Sequence, residues 1–166
     1  GKLAVVGTGN DLAVAGAEPL ALTAAFVLEE GLDLADLERV VDGMALAAVA
    51  VPVRVVAGDT KVVGRGEADR IFVVTTGVGA VPPGLDLRSD AIRPGDRVLV
   101  SGPVGDHGAA VLGARGDLGI ETSVRSDCAC VLPLVRALLA AAPHARCLRD
   151  PTRGGLATTV HELAAS

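Results

Sequence analysis

Leu20 to Leu28 form a nearly unbroken apolar run with Thr23 inside it, the pattern of a buried strand. Asp33 then stands where a side chain caps a first helical turn. Leu34, Leu37, Val40, Val41, Met44 and Ala48 follow at helical spacing until Pro52 stops the helix. Short apolar runs predict strands over Val53–Ala57, delivering Gly58-Asp59-Thr60-Lys61, and over Ile71–Thr76. Val81-Pro82-Pro83-Gly84 reads as a bend and Arg93-Pro94-Gly95-Asp96 as a tight turn. Beyond them the pattern predicts a strand over Arg97–Ser101 and a short helix over Ala109–Ala114. A helix over Val131–Ala142 follows, with Pro133 in its first turn, then a brief strand over Arg146–Leu148 and a last helix over Leu156–Ala165. Residues 1–16 fit two readings: Leu3, Val6, Leu12 and Ala13 line one helix face, whereas Gly7, Thr8 and Gly9 argue against a helix.

This order of elements predicts an α+β (mixed α/β) fold in two lobes, residues 1–82 and 83–166, with a proline-rich seam near residues 81–95. The chain opens inside an apolar segment and closes two or three turns into its last helix, so a piece of a larger protein is expected.

Composition narrows the picture. A length of 166 residues buries one good core or two small ones. Half of the residues are hydrophobic, yet Phe26 and Phe72 are the only aromatics, so Val, Leu, Ala and Ile must build the core. Two aromatics also exclude a platform on which nucleobases stack. The net charge of −5, without a basic run, argues against nucleic acid and anionic lipid as partners. With no apolar stretch of spanning length, a soluble cytoplasmic protein is expected. Cys128, Cys130 and Cys147 lack the spacing of a zinc ribbon or a disulfide framework and read as incidental thiols.

Three glycine-rich stretches carry candidate chemistry. Asp150-Pro151-Thr152-Arg153-Gly154-Gly155 precedes a helix, whose start exposes unpaired N–H groups and a partial positive charge that attract anions. Arg153 is placed to clamp a phosphate or carboxylate. Gly58-Asp59-Thr60-Lys61 presents a carboxylate, a hydroxyl and an ammonium, a set suited to a metal and a phosphate oxygen but equally to a solvated turn. Ser101 to Gly108 lacks the Gly-Lys-Ser/Thr of a P-loop; its His107 reads either as a proton carrier or as a structural hydrogen bonder. Asn10-Asp11 offers a second carboxylate for Mg²⁺, or merely a helix cap. His161 and Glu162 read as surface groups of the last helix.

Read in order, Asn10-Asp11-Leu12-Ala13, Leu28-Glu29-Glu30-Gly31-Leu32, Gly58-Asp59-Thr60-Lys61-Val62-Val63, Gly105-Asp106-His107-Gly108, Ser126-Asp127-Cys128-Ala129 and Arg149-Asp150-Pro151-Thr152-Arg153-Gly154-Gly155 resemble one family. It is the HypE hydrogenase-maturation carbamoyl dehydratases of the AIR-synthetase-like (PurM-like) ATP-binding superfamily. The resemblance implies an ATP-dependent dehydration of a carboxamide on a C-terminal cysteine thiol to a thiocyanate, the source of cyanide for the iron of a [NiFe] hydrogenase. Phosphorylating the amide oxygen turns a poor leaving group into phosphate. It implies ATP and Mg²⁺ in a cleft of a dimer-forming lobe, with a HypF-like carbamoyltransferase and a HypC/HypD-like iron carrier as partners.

Carried over by motif, Asp11 and Asp59 would hold the metal. Asn10, Asp11, Asp59, Thr60, Lys61, Asp150, Thr152, Arg153, Gly154 and Gly155 would contact the nucleotide, and His107, Asp59 and Lys61 would act at the reacting end. The family's glycine- and Asp-rich opening and its cysteine tail have no counterpart in this chain, and none of Cys128, Cys130 or Cys147 matches the carrier position. The chain by itself is therefore expected to lack turnover. The competing expectations are another ATP-dependent synthetase or kinase of the superfamily, or a non-catalytic dimerisation and docking module.

Overall fold

The computed structural model describes every residue except 117, 118, 120, 121 and 166. Its first half is a three-stranded sheet with two helices on one face. Strand β1 (Glu18–Glu29) lies centrally in the order β2-β1-β3, parallel to β2 (Arg54–Val63) and antiparallel to β3 (Ile71–Ala80). Helix α1 (Lys2–Val14) precedes the sheet, and α2 (Leu34–Ala50) is the crossover that a parallel pair requires. Asp33 caps α2 by accepting a bond from the Ala35 N–H at 3.0 Å.

The core lies between that sheet face and the helices: Val5 and Val6 of α1, Leu22 and Ala24 of β1, Met44 and Ala47 of α2, and Val51 and Val53 beyond it. Leu22 is fully buried, so Leu22→Ala is expected to cost about 2–5 kcal/mol, read from a denaturant midpoint.

The ambiguity over residues 1–16 resolves to a helix, because tertiary packing overrides propensity. Gly9 is buried where a Cβ would strike the Val51 side chain. The Thr8 hydroxyl meets that of Thr75 at 2.7 Å, and Thr75 Oγ1 donates to the Ala4 carbonyl at 2.7 Å.

Three expectations are corrected. β2 does not end ahead of Gly58-Asp59-Thr60-Lys61 but runs through it, since these residues continue the ladder opposite Ala24, Ala25, Phe26 and Val27. Neither Arg97–Ser101 nor Arg146–Leu148 is a strand: the Arg88 N–H bonds the Arg146 carbonyl at 2.8 Å without a ladder following among the described residues, and Val98 and Leu99 stand 67% and 80% exposed. β3 extends to Ala80, four residues past Thr76.

The second half contributes α3 (Asp106–Arg115), α4 (Leu132–Ala141) and α5 (Gly155–Ala165), joined by irregular segments. Helix α4 docks on the C-terminal part of α1, burying Ala13, Leu132 and Val135 together. Arg136 seals that contact with a two-pronged pair to Glu18, its Nε donating at 2.9 Å. The Arg136 guanidinium holds the Glu18 carboxyl below the usual range.

Candidate functional site

The sequence separates Asn10-Asp11 from residues 126–131 and 150, and the fold joins them. Asn10, in the penultimate turn of α1, uses both ends of its amide: Nδ2 donates to the Ala129 carbonyl at 2.9 Å, and Oδ1 accepts from the Val131 N–H at 3.0 Å. A side-chain amide imitates a peptide unit, so this pair satisfies two backbone groups at the start of α4 that lie ahead of any helical ladder.

Next to it, the Asp11 carboxyl lies beside that of Asp150. Burial first, and the charge of Asp11 second, hold the Asp150 carboxyl above the usual range. Two adjacent carboxyls repel when both are ionised, so the arrangement favours either a proton or a cation between them.

Asp150 opens the glycine corner. The Thr152 N–H returns to the Asp150 carbonyl at 3.0 Å. Gly154 and Gly155 both adopt the left-handed backbone, at φ of 73° and 62°, which side chains disfavour, and α5 starts at once. Thr152 and Arg153 are exposed on this corner. Arg149 behind it pairs with Glu162 at 2.9 Å, giving that residue of α5 a role in fixing the corner.

His107 belongs to the same region. It sits in the first turn of α3, and its Nδ1 meets Ser126 Oγ at 2.9 Å. Ser126 Oγ also accepts from the Cys128 N–H at 3.1 Å. His107, Ser126, Cys128, Ala129, Asn10, Asp11 and Asp150 thus form one connected arc. Ser126 lies in the motif Ser126-Asp127-Cys128-Ala129 without being a sequence candidate; a serine two residues before an N–H that its own hydroxyl can accept from is the signal that could have found it.

Asp59, Thr60 and Lys61 lie elsewhere. β2 is an edge strand and all three are exposed, with Asp59 Oδ1 accepting from the Thr60 N–H at 2.8 Å. Asp59 and Lys61 pair with Ala25 and Val27, which alternate away from Leu22 and Ala24. Their side chains therefore occupy the sheet face opposite α1, and a single copy does not bring Asp59 to Asp11. That outer face is apolar and bare: Phe72, Val74 and Val78 are 50%, 59% and 59% exposed.

Among the described residues no group of three or more His, Cys, Asp or Glu side chains is set to hold a metal by itself. A cation at Asp11 and Asp150 would need further oxygens from a ligand. Cys128, Cys130 and Cys147 are free thiols, and burial pushes the Cys147 thiol up, away from reactivity. No helix is long and apolar enough to cross a membrane among the described residues.

Comparison with known proteins agrees with the motif reading. Residues 1–81 match the AIR synthase related protein N-terminal domain, and residues 93–166 match the C-terminal domain of the same family. The chain is 58% identical over 164 residues to carbamoyl dehydratase HypE of Azotobacter vinelandii, covering 99% of the chain and 48% of that relative. Its fold superposes on HypE in a crystal structure of a HypE–HypF complex with a TM-score of 0.94 at 47% identity, covering 99% of the chain and 54% of the other. It superposes on the hydrogenase maturation protein HypE in complex with ATP with a TM-score of 0.93 at 47% identity, covering 98% and 49%. The chain thus spans about half the length of the relatives it matches. With both of that family's domain models matched in order, the chain belongs to the AIR synthase related protein family.

Proposed function

We propose that the protein carrying this chain is a cytoplasmic, ATP-dependent carbamoyl dehydratase of [NiFe] hydrogenase maturation. It would convert the S-carboxamide of a C-terminal cysteine to a thiocyanate. The observation that carries this reading is identity of 58% with a carbamoyl dehydratase HypE across 99% of the chain, the arc from His107 to Asp150 included. In the reaction the amide oxygen takes the γ-phosphoryl group of ATP, leaving ADP. The nitrogen gives up one proton as the O-phosphorylated imidate forms, and the imidate then loses phosphate and its remaining N–H proton to give the nitrile, so the net loss is one water. The sequence therefore needs a phosphate-binding corner and a proton carrier. Residues 150–155 supply the first, and His107 is the candidate for the second.

The residues fit Mg²⁺ at Asp11 and Asp150, because a divalent cation offsets both the burial and the Asp11 charge that raise Asp150. Bound there it would supply charge neutralisation for the triphosphate. Asn10, Thr152, Arg153, Gly154 and Gly155 would line the nucleotide.

Asp59 and Lys61 enter this reading through a second copy, whereas Thr60, opposite Phe26, lies on the α1 side of the sheet. The bare outer face of the sheet, with Phe72, Val74 and Val78, is the kind of apolar patch that a partner covers. A homodimer using that face, in which Asp59 and Lys61 of one subunit serve the corner of the other, is the form of the site this reading requires. A HypF-like carbamoyltransferase and a HypC/HypD-like iron carrier are the expected partners, the former in line with a HypE–HypF complex among the similar structures. The division into domains 1–82 and 83–166 belongs to the same reading.

The test is to supply the intact protein with carbamoylated terminal cysteine, ATP and Mg²⁺ and to follow its mass. Loss of one water per ATP hydrolysed is expected. Hydrolysis without that loss overturns the dehydratase reading, and a strict monomer at high concentration overturns the shared site.

A further inference from the structure

We propose that Ser126 is a positioning residue that selects the tautomer of His107, so that Nε2 is the ring nitrogen that takes up a proton. Its role in turnover rests on the dehydratase reading; its role on the ring does not. Three observations converge on it. His107 is anchored in a helix, where the Ala109 N–H closes the first turn on the Gly105 carbonyl at 2.9 Å. Ser126 Oγ is fixed from behind by the Cys128 N–H at 3.1 Å, and in front of it stands His107 Nδ1 at 2.9 Å. Ser126 lies only three residues before Ala129, which holds Asn10, so the Cα atoms of Ser126 and Ala129 are within about 11 Å and the ring is tied through this segment to the Asn10 clasp.

A hydroxyl oxygen has two lone pairs. The Cys128 N–H uses one, and an Nδ1–H of His107 fits the other, while the proton of the exposed Ser126 hydroxyl goes to water. The neutral ring then carries its proton on Nδ1 and keeps a free electron pair on Nε2. When Nε2 takes the N–H proton released as the phosphorylated amide collapses to nitrile and phosphate, the ring becomes imidazolium. Nδ1–H donates to Ser126 Oγ in both states, so the ring need not turn during transfer.

Ring ¹⁵N shifts of neutral His107 in the intact protein test the assignment, with Ser126→Ala and Ser126→Thr beside the wild type. An Nδ1–H ring in the wild type and in Ser126→Thr, with a shift toward Nε2–H in Ser126→Ala, is expected. In turnover, Ser126→Ala should lower kcat roughly ten-fold with KM for ATP unchanged, and Ser126→Thr should restore most of it. A wild-type ring protonated on Nε2, or ring shifts unmoved by Ser126→Ala, overturns the proposal. If the wild type performs no ATP-dependent dehydration, the dehydratase reading fails alone and the ring shifts still decide the role of Ser126.

Discussion

Asp150→Asn in the intact protein is expected to lower ATP-dependent turnover roughly 10²–10³-fold while raising the thermal midpoint of the nucleotide-free protein by about 1–3 °C. The two effects have opposite sign because one feature causes both. Burial and the charge of Asp11 raise the Asp150 carboxyl. The native state therefore holds a proton there more readily than the unfolded chain does. Stability falls as pH rises from about 3.9, the ordinary aspartate value, through the raised native value, and above that window the full cost is present. Asn carries no charge, so the slope and the cost disappear together. The gain stays small because Asp150 is only half-buried and solvent screens the pair. Turnover falls because the same charge is the one a cation and triphosphate need. Scanning calorimetry from pH 4 to 8 beside a turnover assay reads both. A variant that is destabilised at neutral pH, or that turns over normally, would show Asp150 to be an ordinary structural acid.

Asp59→Asn and Asp150→Asn, each nearly inactive alone, are expected to regain about a quarter of wild-type turnover when their subunits are mixed and exchanged. Random exchange makes about half of the dimers mixed, and each of these has one site with both lesions and one with neither. The expectation comes from the register of β2, which places Asp59 opposite Ala25, on the sheet face away from α1 and Asp11. The two acids lie on opposite faces of the sheet in one copy, and the homodimer proposed above is what would bring them to one phosphate group. Mixtures as inactive as their components would mean that Asp59 and Asp150 serve the same copy, or that Asp59 has no part in turnover.

How much the sequence discloses depends on the range of the interaction. Helix α2 and strand β1 were legible because an aspartate cap and an unbroken apolar run are local signals. Helix α1 was half legible: Gly7 and Gly9 weaken it in isolation, and the need for Gly9 beside Val51 exists only after folding. β2 was misjudged because Gly58-Asp59-Thr60-Lys61 has turn chemistry, while an exposed edge strand tolerates charge and is set by its pairing to β1. Arg97–Ser101 has the composition of a strand but joins no sheet among the described residues. The motifs named the corner at residues 150–155, yet its meeting with Asp11 and the clasp from Asn10 to residues 129–131 join positions more than a hundred residues apart. No spacing rule encodes such pairs. The Ser126–His107 bond is of the same kind, nineteen residues long across an irregular segment.

Calorimetric titration of ATP into the intact protein, with and without Mg²⁺, tests most directly whether Asp11 and Asp150 together receive the metal of the nucleotide. For the wild type, affinity should rise at least ten-fold with Mg²⁺, about 1.4 kcal/mol, and this gain should vanish in the Asp11→Asn, Asp150→Asn double variant while metal-free binding is kept or improved. A double variant that keeps the full Mg²⁺ dependence would contradict the account.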